Sequence, residues 1–209
     1  MDFSIEMIRS VYEGRRPEAI GKHRYFSVLV PFVERDGELC LLYEVRAESV
    51  SQPGEVCFPG GHVEKGEHPC DCALRETYEE IGVPADRVRL IGPGDRLYGY
   101  ANFTLFTYLG VVDYEDYKKA KLAEDEVSEI FLMPLKNIEE TKPEIYVEKI
   151  TTNIDKGFPY ERLGISEDYG WRVGTWEIPV YDFGNRVIWG MTARITASII
   201  DNVKGKNAL

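Results

Sequence analysis

Residues 60–82, GGHVEKGEHPCDCALRETYEEIG, restrict what this chain can fold into more than any other segment. The paired glycines at its start permit a tight turn in which the backbone comes close to its neighbours. Pro69 suits the first turn of a helix, because its missing N–H needs no partner there, and Gly82 suits the C-terminal cap. The segment therefore predicts a turn followed by a helix over residues 69–81.

The predicted helix carries three like charges, Glu76, Glu79 and Glu80, in a chain whose net charge is already −11. At roughly 100° per residue the glutamates lie opposite the packing side. The residues predicted on the packing side are Cys70, Leu74, Thr77 and Ile81. Like charges at these spacings repel. A solvated face is one interpretation. The preceding glycine turn favours another, in which the carboxylates bind a hard cation such as Mg²⁺ that orients a diphosphate.

Composition excludes several classes of function. With 209 residues, 44% of them hydrophobic, the chain can bury one sizeable core. Its acidity argues against a broad basic surface for nucleic acid, so a phosphate-bearing substrate needs local basic groups or bound cations. It has no apolar run of membrane-spanning length and no apolar signal core at its start. We expect a soluble cytoplasmic protein with free thiols and a small-molecule nucleotide substrate, without a nucleic acid or membrane partner. A homodimer is left open.

Strand and helix patterns alternate, which predicts an α/β layered domain. Residues 1–209 are interpreted as one domain that starts with an amphipathic helix at 4–13. Residues 140–180 have weak periodicity and are interpreted as an insertion packed on the main body. The other predicted elements are a hairpin over 24–34 and 38–47, a longest strand within 101–113, a strand at 129–135, and a strand that turns into a helix over 185–203.

The helix and its turn resemble a known family. Gly61, Glu67 and the run RETYEEIGV at 75–83 match the spacing of the Nudix box. Thr77 stands where an aliphatic residue is usual, and its methyl group can still face the core. The resemblance implies an α/β/α sandwich around a mixed β-sheet. It also implies Mg²⁺- or Mn²⁺-dependent hydrolysis of a nucleoside diphosphate linked to another moiety.

The same resemblance implies roles for individual residues. By position, Glu76 and Glu80 are the principal metal ligands, and Glu79 is a further ligand or a base. Arg75 ties the helix back to Glu67. Glu126, in the loop AEDEVSE, either reaches the metals or acts as the general base. The alternative for Glu126 is a solvated acidic turn.

Residues 42–61, LYEVRAESVSQPGEVCFPGG, resemble the signature of the coenzyme A pyrophosphatase branch. This implies that Arg46, Phe58, Gly60 and Gly61 bind the substrate, and that coenzyme A or its thioesters are cleaved to 3′,5′-ADP and (acyl-)4′-phosphopantetheine. A second Arg of that signature is replaced near Ser51. The alternatives are ADP-ribose, other nucleotide sugars or nucleoside triphosphates, and a non-catalytic nucleotide sensor. Such a sensor is expected to have lost the glutamates.

Two weaker patterns remain. Cysteines and histidines before and within the helix suggest zinc, although the spacing of the cysteine pair is one residue short; they are Cys70, Cys72, His62 and His68. Aromatic side chains predict base stacking or core packing; they are Phe58, Tyr98, Tyr100 and Phe103. Within the insertion, Trp171, Trp176 and Tyr160 are candidates to line an acyl or pantetheine pocket.

Overall fold

The computed structural model describes residues 3–15 and 17–205, and over these ranges it contains one main sheet and one smaller sheet. The main sheet is mixed. Its strands are β1 (Arg24–Arg35), β2 (Glu38–Arg46), β3 (Val56–Cys57), β4 (Gly60–His62), β5 (Val88–Pro93), β6 (Leu97–Gly99), β7 (Phe103–Val112) and β8 (Val127–Pro134).

The central path of this sheet runs β3-β2-β1-β7-β5, while β4 pairs with β1, β6 with β7, and β8 with β2. Strands β1 and β7 are parallel, and the other pairs are antiparallel. The predicted hairpin is confirmed as β1 and β2. Its two turn residues, Asp36 and Gly37, have φ of 53° and 80°, the left-handed geometry of a two-residue hairpin turn. At 12 residues β1 is longer than β7 with 10, so the prediction that 101–113 holds the longest strand was wrong.

Helices cover both faces of the main sheet. The α-helices of the described residues are α1 (Ile5–Tyr12), α2 (Pro69–Ile81), α3 (Tyr114–Lys118), α4 (Leu135–Glu140), α5 (Tyr160–Leu163) and α6 (Gly190–Val203), and of these α2, α4 and α6 supply buried residues to the two core clusters. One core cluster joins Leu29, Val33 and Leu42 of the sheet to Ala73 and Ile81 of α2. The cluster on the other face brings in residues of α4 and α6, among them Ile138, Ala193, Ile195 and Ile199. The α/β/α sandwich around a mixed sheet is therefore confirmed.

The smaller sheet consists of β9 (Glu144–Ile150), β10 (Gly174–Asp182) and β11 (Val187–Trp189), in the order β11-β10-β9. Two of these strands lie largely within residues 140–180, where the sequence predicted no strand. Tyr181 and Ile188 of this sheet join the core cluster that contains α6. The organisation of residues 1–209 as one domain stays a prediction.

The N-terminal helix is confirmed as α1, whose side chains are all at least partly exposed to solvent. The predicted strand-to-helix transition over 185–203 is confirmed as β11 and α6. Among the described residues, every helix is too short or too polar to cross a membrane.

Candidate functional site

Local sequence sets both ends of helix α2. The imidazole of His68 accepts a hydrogen bond from the Cys70 N–H at 3.2 Å, and Pro69 follows as the first helical residue. At the other end, Gly82 has φ of 70° and its N–H donates to the carbonyl of Tyr78. Both ends lie where the sequence predicted them, because caps of this kind depend on a few adjacent residues.

The buried side of α2 differs from the predicted one. The buried residues are Cys72, Ala73, Thr77, Glu80 and Ile81, while Cys70 and Leu74 are only half-buried. Thr77 does face the core, and its hydroxyl donates to the Ala73 carbonyl at 2.6 Å. The prediction that Glu80 lies opposite the packing side was wrong. The helix is turned so that Glu80 faces the sheet, Glu76 is half-buried, and Glu79 is exposed.

Arg75 holds three carboxylates together. Its Nε donates to Glu67 Oε1 at 2.8 Å, and its Nη1 lies 2.8 Å from Glu76 Oε1 and 2.7 Å from Glu79 Oε2. The hydrogen bonds from Arg75 lower the pKa of Glu67 to about 2, and the three carboxylates together raise the pKa of Arg75. The predicted tie between Arg75 and Glu67 is present. The same guanidinium also fixes the direction of Glu76 and Glu79.

Glu80 belongs to a second, buried group. Its Oε2 accepts a hydrogen bond from the Gly60 N–H at 2.8 Å, and its side chain is 5% exposed. On the facing strand β2, Glu44 is 2% exposed. Burial raises the pKa of both carboxyl groups, and the charge of Glu44 raises that of Glu80 further. Two buried carboxylates this close are costly unless a positive charge or a proton lies between them.

Sequence reasoning missed Glu44. The thiol of Cys57 donates to Glu44 Oε1 at 3.2 Å, but Oε2 is buried without a hydrogen-bond partner. Buried polar atoms are rarely left unpaired, so this carboxylate oxygen is suited to a cation or a proton beside it. The signal in the sequence was a single acidic residue inside the otherwise apolar run CLLYEV of strand β2.

The loop that carries Glu126 lies against the end of α2. The Ala123 N–H donates to the Glu80 carbonyl at 2.9 Å, and the Ala47 N–H donates to the Glu126 carbonyl at 2.8 Å. The charge of Glu126 raises the pKa of Glu44, Glu76 and Glu80. The exposed Glu126 side chain is therefore close to the other carboxylates, although it lies far from them in sequence.

The carboxylates are chemically suited to a divalent cation. Hard cations take oxygen ligands, and this region supplies several, with one buried oxygen of Glu44 unpaired. Gly61 leaves space for the Glu76 carboxylate, since a Cβ there would approach its carboxyl carbon to 2.4 Å. Within the described residues the carboxylates do not already converge as a group of three around one point. Glu76 and Glu79 are turned to Arg75, and Glu80 to Gly60.

The cysteine and histidine pattern does not form a zinc site. The buried thiol of Cys72 donates to the carbonyls of Gly61 and His62, at 3.7 and 3.4 Å. All four cysteines are free, as the sequence predicted. No set of three Cys, His, Asp or Glu side chains is arranged around a metal position in the part of the chain that the structure describes.

A cavity of about 500 Å³ opens on the other side of the glycine turn. We call it the glycine-turn cavity; Arg24, Arg46, Gln52, Phe58, Gly60 and Gly61 are among its lining residues. Arg46 lines this cavity, and its Nε donates to the Ser51 carbonyl at 2.8 Å; its role in binding substrate stays a prediction. Phe58 is 3% exposed and stacks on Tyr43, with ring centroids 4.7 Å apart, so its main role is in the core. Arg24, a second basic residue on this cavity, was not predicted.

A second cavity of about 360 Å³ adjoins the first. We call it the aromatic cavity; Arg46, Tyr100, Phe103, Glu148, Trp176 and Trp189 are among its lining residues. Three residues of the insertion were predicted to line a pocket. Of these three, all within the described chain, Trp176 alone lines the aromatic cavity. Trp171 and Tyr160 instead pack against Phe158, with ring centroids 5.6 and 4.8 Å away. Tyr98 lines a different cavity beside α6.

Comparison with known proteins places these features in a family. The NUDIX domain family model matches residues 23–151. A peroxisomal coenzyme A diphosphatase of Mus musculus is 36% identical over 143 residues, which are 64% of this chain and 56% of that protein. A mitochondrial coenzyme A diphosphatase of Homo sapiens is 28% identical over 173 residues, 81% of this chain and 65% of that protein. This chain therefore spans less than two thirds of either relative. Among solved structures, a MutT/nudix family protein from Enterococcus faecalis has a TM-score of 0.49 at 16% identity, over 97% of this chain and 69% of that chain.

Proposed function

Because the chain belongs to the Nudix family, we propose that it is a metal-dependent diphosphatase acting on coenzyme A or its thioesters, with 3′,5′-ADP and (acyl-)4′-phosphopantetheine as products. The observation that carries the proposal is the cluster of carboxylates directly behind the Gly60–Gly61 turn, whose other side faces a cavity with two arginines. Carboxylates that bind cations and arginines that bind phosphate suit a substrate with a diphosphate and a further phosphate.

Glu76, Glu79 and Glu80 are the residues we assign to the cation, Mg²⁺ or Mn²⁺. Glu44 contributes further negative charge from the facing strand, and its unpaired oxygen supports a positive partner in this place. Nudix hydrolases generally use divalent metal ions. When bound, such a cation neutralises the diphosphate, polarises the phosphorus and lowers the pKa of the attacking water.

The protein groups have separate tasks in this reaction. Arg75 orients Glu76 and Glu79 through its guanidinium, and the Gly60 N–H orients Glu80. A general base must take a proton from water, and the Glu79 carboxylate is already held in an ion pair with Arg75. Glu126 forms no ion pair within the described residues and lies close to the other carboxylates. We therefore assign the role of general base to Glu126. Arg75 has the role of holding Glu76 and Glu79 in position.

The choice of coenzyme A rests on the cavity and on the relatives. Arg46 and Arg24 are the two basic residues that line the glycine-turn cavity in the described structure, and either can hold the 3′-phosphate of the nucleoside. Both curated relatives named above are coenzyme A diphosphatases. A purely nucleotide-sensing protein is disfavoured, because the three glutamates of α2 and Arg75 are all present.

A substrate panel tests the proposal. Coenzyme A, dephospho-coenzyme A, ADP-ribose and a nucleoside triphosphate are incubated with Mg²⁺, with Mn²⁺ or with excess EDTA, and the products are identified by mass. We expect the highest kcat/KM with coenzyme A, release of 3′,5′-ADP and 4′-phosphopantetheine, and no turnover in EDTA. Preference for ADP-ribose would contradict the substrate, and full turnover in EDTA would contradict the cation.

A further inference from the structure

We propose that the aromatic cavity binds the extended, uncharged arm of the substrate, so that the smaller sheet determines which diphosphates are cleaved. For coenzyme A this arm is the pantetheine chain with its amide groups. The inference rests on the proposed function in one respect: it assumes that the diphosphate lies beside the Gly60–Gly61 turn. It goes further by giving a role to the insertion and to side chains outside the carboxylate cluster.

The two cavities are adjacent. Six residues line both of them: Arg46, Gln52, Cys57, Phe103, Met191 and Thr192. The aromatic cavity therefore lies next to the glycine-turn cavity, and in this proposal a ligand whose phosphates lie at the glycine turn extends past Arg46 into it. The volume of about 360 Å³ is within the usual range for a pocket that encloses one small organic group.

The walls of the aromatic cavity come from both sheets and are held in place. Tyr100, beside the main sheet, meets Trp176 of β10 edge to face, with ring centroids 5.4 Å apart. The guanidinium of Arg194 lies 4.0 Å from the centroid of the Trp176 ring, and the Tyr100 hydroxyl donates to Glu148 at 3.3 Å. Rings that are already ordered lose little entropy when a ligand packs on them. A preformed surface of this kind therefore favours the binding of a flexible substrate arm.

The charges of the cavity select against anionic groups. Glu55 and Glu148 line it, and Arg46 is the one basic residue among its described lining residues. Because Arg46 also lines the glycine-turn cavity, its charge is at the junction, where the phosphates begin. The remainder of the aromatic cavity offers rings and carboxylates, which suit apolar methylenes and donor N–H groups rather than further phosphate.

Binding of the two proposed products tests the arm site separately from turnover. Neither 4′-phosphopantetheine nor 3′,5′-ADP contains a diphosphate, so the proposed reaction consumes neither. Both are titrated calorimetrically into the full chain and into three variants: Trp176→Ala, Tyr100→Ala and Trp171→Ala. Trp171 is the matched control, because it lies in the same insertion but packs on Phe158 and Tyr169. Tyr100 lies outside the smaller sheet, so its variant reports on the cavity even if Trp176→Ala disturbs that sheet.

We expect Trp176→Ala and Tyr100→Ala to weaken 4′-phosphopantetheine binding about tenfold, the scale of one lost aromatic contact. Affinity for 3′,5′-ADP should change less than about twofold in all variants, and Trp171→Ala should leave the affinity for both ligands unchanged. Equal losses for both ligands, no loss, or no binding of 4′-phosphopantetheine by the wild type would overturn the inference. If the wild type shows this arm dependence but does not hydrolyse coenzyme A, the arm site stands and the proposed function fails.

Discussion

The turn and helix at 60–82 and the smaller sheet at 144–189 form opposite ends of the proposed site, and they are built differently. In the first region the key contacts join residues close in sequence, such as Arg75 with Glu67 and Glu80 with Gly60. In the second, the cavity walls come from distant segments, as Tyr100 and Trp176 show. The comparison indicates that the proposed metal ligands come from one short segment, whereas the proposed base, Glu126, and the proposed substrate selection depend on the tertiary assembly.

This difference predicts that substitutions in the two regions have different effects on the kinetics. Changes in the carboxylate cluster should lower the rate for every diphosphate, because the cluster acts on the part that all these substrates share. Changes in the aromatic cavity should alter the order of preference among substrates. Arg46 lies at the boundary and lines both cavities.

The largest expected effect follows from Glu80→Gln. Loss of this carboxylate removes charge that balances the cation, so kcat should fall on the order of a thousandfold with each substrate. The fold should persist in EDTA, because the change also removes one of two buried, mutually repelling carboxylates. Steady-state kinetics and thermal unfolding measure both effects. Glu64→Gln, at an exposed loop position, is the control, and near-normal turnover by Glu80→Gln would show that the metal assignment is wrong.

Glu126→Gln tests whether a distant loop completes the local cluster. A general base contributes about a hundredfold or more to kcat, so a loss of that size is expected while KM changes little. Glu124→Gln, which alters an exposed neighbour in the same loop, should leave kcat unchanged. A loss under about threefold in Glu126→Gln would remove this residue from the catalytic set.

Arg46→Ala should have a smaller and selective effect. We expect the preference for coenzyme A over dephospho-coenzyme A to shrink about tenfold, the scale of one charged hydrogen bond. Arg24→Ala tests the second cation of the glycine-turn cavity in the same assay. Arg87→Ala is the control, because Arg87 is exposed in the turn after α2. If neither Arg46→Ala nor Arg24→Ala changes the ratio, another group holds the 3′-phosphate.

The smallest effect concerns the junction between α6 and the main sheet. Asp95 accepts hydrogen bonds from Ser198 at 2.6 Å and Asn202 at 2.8 Å, and these lower its pKa. A lowered pKa stabilises the fold above the pKa of the unfolded Asp, and this stabilisation is lost as pH falls through the folded value. Asp95→Asn should therefore cost under about 1 kcal/mol at pH 7, because the group is exposed. The stabilities of both proteins in urea unfolding should converge as pH falls through the lowered folded pKa of Asp95, with kcat unchanged at pH 7. A difference that persists in acid would contradict the role of the charge.

The sequence was informative wherever structure depends on neighbouring residues. The ends of α2 follow from Pro69 and Gly82, and the hairpin follows from β-branched and aromatic runs on either side of Asp36 and Gly37. The side of α2 that faces the sheet could not be predicted from neighbouring residues. The helix rests on several strands, and Gly60 draws the Glu80 carboxylate inward against the simple polarity of the pattern. Helical periodicity identifies the most apolar side of a helix, but it contains no information on a hydrogen bond to a residue outside the helix, such as the one from Gly60.

Other parts of the site had little local signal. The charge of Glu44 acts on Glu80 of α2, so its role depends on which strand faces the helix. Strands β9 and β10 are separated by a long irregular segment, and β9 is mostly exposed, which weakens the alternation that identifies a strand. Of the proposed arm site, which needs these strands together with Tyr100, the insertion pattern therefore indicated only Trp176 correctly.

One measurement tests the division between the two regions most directly. The values of kcat/KM for coenzyme A and ADP-ribose are determined in Mg²⁺ for the wild type, Glu80→Gln and Trp176→Ala. We expect Glu80→Gln to lower both values by orders of magnitude and to keep their ratio within about threefold. Trp176→Ala should lower the value for coenzyme A about tenfold and leave that for ADP-ribose within about twofold. If both variants lower the two values in equal proportion, catalysis and substrate selection are not divided between these regions, and the account is contradicted.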